Sequence, residues 1–98
     1  MKIPKSVVIA GKTYKVSNDK DFAGAHFATA EQTIKLGTGY NEEIRTIFFL
    51  HEVIEAIMTE RQLRYSVYED SGHLFVMNHD QYQNLVNDIY FALKDNLV

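Results

Sequence analysis

The sequence predicts an α+β domain, and three observations support this fold class. Short runs rich in β-branched and aromatic residues, separated by turn residues, predict strands before residue 41 and again after residue 63. A long apolar run with helical periodicity lies between these two regions, and a second amphipathic run ends the chain. The length of 98 residues fits one domain over residues 1–98, because folded domains typically contain about 50–250 residues.

Two hairpins with a loop between them are predicted before the first helix. The paired strands are residues 6–10 with residues 13–17, and residues 26–29 with residues 33–36. The first pair is joined at Gly11-Lys12, because glycine permits the positive φ that tight hairpins need. Residues 18–25 are expected to be a loop, and the second hairpin should turn at residues 30–32.

A long first helix is predicted over residues 42–62. Asn41 can act as its N-cap, and acidic residues follow in the first turn, where they suit the positive end of the helix. At about 100° per residue, one narrow stripe contains Ile44, Phe48, His51, Glu55 and Met58. Glu52 lies at the polar border of this stripe. Because the helix is apolar over much of its circumference, we expect it to be central and largely buried.

A third hairpin and a second helix should complete the fold. The hairpin is predicted at residues 64–69 and 73–78, and the helix at residues 79–96. Asn78 can cap this helix, and Gln81 occupies the capping-box position. The apolar residues that we expect on its buried face are Tyr82, Leu85, Val86, Ile89, Tyr90 and Leu93.

Composition and charge exclude several kinds of protein. There is no cysteine, so a transition-metal site would have to use histidine and carboxylate ligands. The formal net charge of −3 argues against a general nucleic-acid binder, and the N-terminal lysines are best explained as protection of a hairpin edge. No stretch has the roughly 20 apolar residues of a membrane span, and the N-terminus lacks the apolar core of a signal peptide. We expect a cytoplasmic protein that binds neither nucleic acid nor membrane, whereas the oligomeric state stays open.

The segment His51-Glu52-Val53-Ile54-Glu55 carries the strongest chemical signal. His51 and Glu55 are four residues apart, so they project in nearly the same direction from a helix and can share one metal ion. Glu52, about 100° further round, could accept the proton of a metal-bound water. The segment is a variant of the zinc-hydrolase pattern H-E-x-x-H in which glutamate replaces the second histidine.

Glu55 needs a partner if it lies in the apolar stripe. An unpaired buried carboxylate costs several kcal/mol, and a whole domain is stable by only about 5–15 kcal/mol. A metal ion is one possible partner, and a protonated histidine is another. A third is a salt bridge to Arg45, Arg61 or Arg64. Taken singly, His51 would more often be a hydrogen-bonded core histidine than a metal ligand, and Glu52 could be a solvated helix carboxylate.

A catalytic zinc usually has three protein ligands and a water, so a third ligand must come from elsewhere. The candidates are His26, His73 and His79, and His79 is favoured. It begins the last helix on the side expected to pack on the core, and a helix N-terminus disfavours the imidazolium. The alternatives are a plain helix-start residue for His79, an exposed hairpin residue for His73, and a substrate contact for His26.

Two segments of the chain resemble a known family. Residues 49–57 (FLHEVIEAI) and 74–82 (LFVMNHDQY), together with the strand at residues 32–36, resemble small phage and prophage proteins with a minimal zincin-like, gluzincin-type fold. Their pattern is H-E-x-x-E on a helix, followed by a histidine before an amphipathic C-terminal helix. The resemblance implies one zinc ion bound by His51, Glu55 and His79, with Glu52 as the general base.

Three functional hypotheses follow. The first is a zinc-dependent hydrolase of phage or prophage origin, acting as a peptidase in the host cytoplasm through a zinc-activated water. Residues 33–36 could then hold an extended peptide as an edge strand, and Tyr65, Tyr68 or Tyr82 could stabilise the oxyanion. The second is a non-catalytic phage accessory protein that binds a protein partner and carries a structural metal or none. The third is a metal-free fold in which Glu55 pairs with arginine or His51.

Overall fold

Four strands form one mixed sheet in this computed structural model, which describes residues 2–66 and 73–94. The strands are β1 (Ser6–Ile9), β2 (Lys12–Asp19), β3 (Ala25–Ala28) and β4 (Thr33–Gly37). β1 pairs with β2 and β3 pairs with β4, both antiparallel, so the two predicted hairpins are confirmed. β2 and β4 run parallel in the middle, which gives the order β1-β2-β4-β3.

The edge strand beside the first helix is β3, and our assignment of residues 33–36 as an edge strand is wrong. β4 is hydrogen-bonded on both sides, with Thr33 opposite Lys15 on one side and opposite Ala28 on the other. The pattern of residues predicts which segments form hairpins, but the parallel pairing that joins the two hairpins is a long-range contact. The loop predicted over residues 18–25 is also shorter than expected, because β2 continues to Asp19.

The first helix, α1 (Glu42–Glu60), begins and ends with side-chain and backbone caps. The Oδ1 atom of Asn41 accepts a hydrogen bond from the Ile44 N–H at 2.9 Å, which confirms the predicted N-cap. At the other end, Gln62 has a φ of 59°, and the Leu63 N–H donates to the Met58 carbonyl at 2.7 Å. This arrangement is a Schellman motif with glutamine in the left-handed position, and it ends the helix two residues earlier than predicted.

The side of α1 that faces the sheet differs from the predicted stripe. Its fully buried residues are Phe49, Val53, Ala56 and Ile57, which belong to one core cluster with Ile9, Tyr14, Ile34 and Leu36 of the sheet. Ile44 is 39% exposed, although we placed it on the buried stripe. Because α1 is apolar on most sides, its periodicity indicates a buried helix but only weakly indicates which side is buried.

The second helix, α2 (His79–Leu93), starts with the predicted capping box. Asn78 and Gln81 exchange side-chain to backbone hydrogen bonds, each of 2.9 Å. Its buried side is narrower than predicted: the buried residues are Leu85, Ala92 and Leu93, whereas Tyr82, Val86 and Tyr90 are exposed. The reason is that, among the described elements, α2 packs mainly against α1 and β1, so one narrow face suffices. The end of the prediction, residues 95–96, lies outside the described residues.

A two-stranded ribbon accounts for the part of the third hairpin that is described. β5 (Arg64–Ser66) pairs antiparallel with β6 (His73–Phe75), and β6 ends earlier than predicted. The end of the first predicted arm, residues 67–69, and the predicted turn, residues 70–72, lie outside the described residues. Across the described part of the chain, neither helix has the length and apolarity that crossing a membrane requires.

Gly37 allows β4 to approach the loop before β3, and alanine there should destabilise the fold. A Cβ atom on Gly37 would lie 2.4 Å from the Phe22 carbonyl oxygen and 2.8 Å from that of Gly24. Since both atoms belong to the backbone, the loop would have to move, and we expect Gly37→Ala to cost about 1–3 kcal/mol. Urea unfolding measures the loss. Ala23→Ser, at an exposed position of the same loop, is the control and should change stability by less than about 0.5 kcal/mol.

Candidate functional site

His51 and Glu55 come together on one side of α1, as their spacing predicts. The Nε2 atom of His51 lies 2.9 Å from the Oε2 atom of Glu55. The His51 side chain is 67% exposed, whereas that of Glu55 is only 19% exposed. An imidazole nitrogen reachable from solvent therefore sits beside a mostly buried carboxylate.

The second oxygen of Glu55 is bound by an arginine. The Nη1 atom of Arg64, in β5, lies 3.0 Å from the Oε1 atom of Glu55. Of the three arginines considered from the sequence, Arg64 is thus the partner. Arg45 instead hydrogen-bonds to the Gly37 carbonyl and to Asn18, while Arg61 forms an ion pair with Asp88. The buried charge of Glu55 is compensated by Arg64 even without a metal ion.

Glu52 is buried, which reverses our prediction that it lies at the polar border. It is 8% exposed, because it lies beside Phe49 and Val53 on the side of α1 that faces the sheet. Burial raises the pKa of the Glu52 carboxyl. The nearby His51 charge partly opposes this shift, and the charge of Glu55 adds to it. Within the described part of the chain, no hydrogen bond or ion pair to the Glu52 carboxyl is found.

Glu52 opens into a cleft between α1 and the edge of the sheet. The cleft has a volume of about 510 Å³. One wall is residues 25–31, which comprise β3 and the turn after it, and the other wall is Glu52, Glu55, Thr59 and Arg64. A second, more apolar cleft of about 450 Å³ is lined by His51, Ile54, Met58 and Phe75, and again by Glu55. Glu55 therefore borders both clefts.

His79, the third predicted ligand, is not gathered with His51 and Glu55. It is the first residue of α2, and it is exposed. Within residues 2–66 and 73–94, no group of three or more histidine, cysteine, aspartate or glutamate side chains is arranged to hold a metal ion. The assignment of His79 as a ligand stays a prediction.

The other sequence candidates are placed as follows. His26, in β3, belongs to the wall of the cleft into which Glu52 opens, and its charge partly opposes the rise in the pKa of the Glu52 carboxyl. Its Nε2 atom is buried and lies 3.5 Å from the Asp19 carboxylate, too far for a good hydrogen bond. Tyr82 is 53% exposed on α2. The side chains of Tyr65 and His73, and the whole of Tyr68, lie outside the described residues.

The donor atoms of His51 and Glu55 suit a divalent metal ion. Two ligand atoms that each lie about 2.0–2.1 Å from a tetrahedral zinc are about 3.3 Å apart. The observed separation of 2.9 Å is close to this value and also fits a direct hydrogen bond. An imidazole nitrogen and a carboxylate oxygen are among the ligands that zinc prefers. Two of the predicted ligands therefore fit the ion.

Phe27 and Thr59 are the cleft residues that sequence reasoning missed. Phe27 supports the guanidinium of Arg64, with the Cζ atom 5.3 Å from the ring centroid. Thr59 follows Glu55 by one helical turn, and that spacing is the signal that could have revealed it.

No family model matches this chain, and no curated protein or solved structure matches it either.

Proposed function

We propose that this protein is a zinc-dependent hydrolase of phage or prophage origin that cleaves peptide bonds, with Glu52 as general base. The observation that carries the proposal is the Glu52 carboxyl, which is buried, opens into a cleft and has no partner within the described residues. Glu52 follows His51 in the sequence and lies on the same helix as Glu55. The Nε2 atom of His51 and the Oε2 atom of Glu55 are 2.9 Å apart.

The energetic cost of Glu52 supports a chemical role. An ionised carboxylate without a partner in such a place costs several kcal/mol, and glutamine or an apolar residue would avoid that cost. Structural roles of a buried acid normally show a salt bridge or hydrogen bonds, as Glu55 does with Arg64. A general base must instead keep its oxygens available for a substrate-side proton, which is the state of Glu52.

In this proposal His51, Glu55 and His79 hold the metal ion. Such an ion polarises a carbonyl and lowers the pKa of water. Glu52 then accepts a proton in the cleft and delivers it to the leaving amine. The raised pKa of Glu52 suits both halves of this task, because a base that must later act as an acid works best with a pKa near the working pH.

The substrate would bind along β3. This strand is the last in the sheet order β1-β2-β4-β3, and it forms one wall of the cleft into which Glu52 opens. An extended peptide can pair with the outer backbone of such a strand, and the peptide bond is then presented to the opposite wall.

The proposed minimal zincin-like fold is supported by three features. They are the mixed sheet, the helix with His51 and the following histidine of α2.

Calorimetric titration with Zn²⁺ at pH 7.5 tests the metal site. We expect one ion per chain, and we expect His51→Ala and His79→Ala each to weaken binding at least tenfold, because each removes one of three ligands. Glu43→Ala is the control, since Glu43 is an exposed carboxylate in the first turn of the same helix, and it should bind as the wild type does. Failure of the wild-type protein to bind zinc would overturn the proposal.

A non-catalytic accessory protein is the second candidate, and the exposed apolar surface favours it. Among the described residues, the large apolar side chains that are more than half exposed are Ile47, Leu74, Val76, Tyr82, Tyr90 and Phe91. Such residues, when clustered, mark protein-binding surfaces. Zinc binding without cleavage of any member of a peptide library would favour this function over a hydrolase.

A further inference from the structure

Arg64 is fixed by contacts with two different elements. Its side chain is only 24% exposed. The Nη1 atom donates to Glu55 of α1, and the guanidinium lies over the ring of Phe27 in β3. A planar guanidinium suits both contacts, because it can donate to a carboxylate in its plane and stack on an aromatic face. Arg64 therefore links the helix of the candidate site to the edge strand across the cleft.

The two oxygens of Glu55 are used by different partners. Oε1 faces Arg64 at 3.0 Å, and Oε2 faces the Nε2 atom of His51 at 2.9 Å. As long as Arg64 holds Oε1, the carboxylate cannot rotate freely, and Oε2 stays on the side of His51. Carboxylates that bind metal ions are usually held in this way by a further hydrogen-bond donor.

We infer that Arg64 is a positioning residue of the proposed metal centre, holding Glu55 so that its Oε2 atom is presented beside His51. The inference rests on the proposed function, because it concerns the same site. Without Arg64, a glutamate side chain with three rotatable bonds would have to be ordered by the ion itself, and that ordering costs binding free energy. Phe27 contributes through its aromatic ring, over which the guanidinium lies.

The charge of Arg64 makes the inference sharply testable. A positive charge near a divalent cation opposes binding of the cation, so charge alone predicts that removal of Arg64 tightens zinc binding. Positioning predicts the opposite sign. We expect the positioning effect to be the larger one, since the outer-sphere partners of metal ligands typically contribute 10–100-fold in affinity.

Zn²⁺ titration of the full chain by calorimetry separates the two effects. We expect Arg64→Gln to bind zinc 10–100-fold more weakly than the wild-type protein. Arg64→Lys keeps the charge but loses the planar fork, and we expect an intermediate loss. The control is Arg61→Gln, which removes an arginine that pairs with Asp88 rather than with Glu55, and its affinity should stay within twofold. Circular dichroism checks that each variant is folded.

Each outcome decides the inference. Weaker binding by Arg64→Gln with normal binding by Arg61→Gln supports it. Equal or tighter binding by Arg64→Gln overturns it and leaves the proposed function standing. Absence of zinc binding by the wild-type protein overturns the proposed function and this inference together. If Arg64→Gln is unfolded, the Arg64→Lys variant decides, and equal or tighter binding by it overturns the inference.

Discussion

Glu52→Gln should bind zinc as the wild-type protein does and lose peptide hydrolysis, with kcat lower by about 10²–10⁴-fold. The amide has nearly the size of the carboxyl, so the cleft keeps its shape, but it cannot accept a proton. Cleavage is measured on a defined peptide library by mass spectrometry, and zinc content by elemental analysis of the same samples. Glu31→Gln is the matched control, because Glu31 lines the same cleft but is exposed.

Two results would argue against this role of Glu52. Undiminished cleavage by Glu52→Gln would remove Glu52 from the mechanism. An equal loss of cleavage in Glu31→Gln would indicate a general effect of charge in the cleft rather than a specific base. Zinc content matters in both cases, because a variant that had lost its metal ion would be inactive for a different reason.

The same substitution should raise the stability of the metal-free protein at neutral pH. Burial raises the folded-state pKa of Glu52 above its ordinary value of 4.5. The folded protein then keeps a proton that the unfolded chain releases, so wild-type stability falls as pH rises from about 4.5 to the raised pKa. Glu52→Gln lacks this loss. Thermal melts in the presence of a chelator should show the stability difference growing over that interval and constant above it.

Glu60→Ala is expected to destabilise the fold by about 2–3 kcal/mol. Tyr14 is fully buried, and its hydroxyl donates to the Oε1 atom of Glu60 at 2.5 Å. The Nζ atom of Lys12 lies 2.7 Å from the other oxygen. Loss of the carboxylate leaves a buried hydroxyl without an acceptor, which costs more than the partly exposed Lys12 contact. Urea unfolding measures the change, with Glu31→Ala as the exposed control.

The contribution of Glu60 should also depend on pH. Hydrogen bonds from Lys12 and from Tyr14 lower the folded-state pKa of Glu60 below its ordinary value of 4.5. A lowered pKa means that this stabilisation is complete above the unfolded-state pKa and is lost as pH falls through the folded-state pKa. The difference between wild type and Glu60→Ala should therefore shrink in acid. A difference that stays constant down to pH 2 would contradict the ion-pair explanation.

Local chemistry made much of the fold predictable. The caps at Asn41 and Asn78 use side-chain oxygens and N–H groups three residues away, so nothing distant can alter them. The hairpins are similar: the first turns at Ala10-Gly11, where both residues have positive φ, one position from the predicted joint. The meeting of His51 and Glu55 follows from helical spacing in the same way.

The errors arise where distant segments decide. α1 is apolar on most sides, so its sequence did not indicate that the Glu52 side faces the sheet and that His51 faces solvent. The parallel pairing of β2 with β4 places β3 at the edge, and no local signal encodes that pairing. α2 buries one narrow face because, within the part of the chain that is described, it packs mainly against α1 and β1.

By itself, the sequence determined where both helices begin, the two hairpins and the closeness of His51 to Glu55, because each depends on residues that are near one another in the chain. Only the tertiary structure decided that Glu52 is buried, that Arg64 is the partner of Glu55 and that β3 forms a wall of the cleft. These features result from packing α1 against a sheet, and that packing is set by the combined burial of apolar side chains from all the elements it joins.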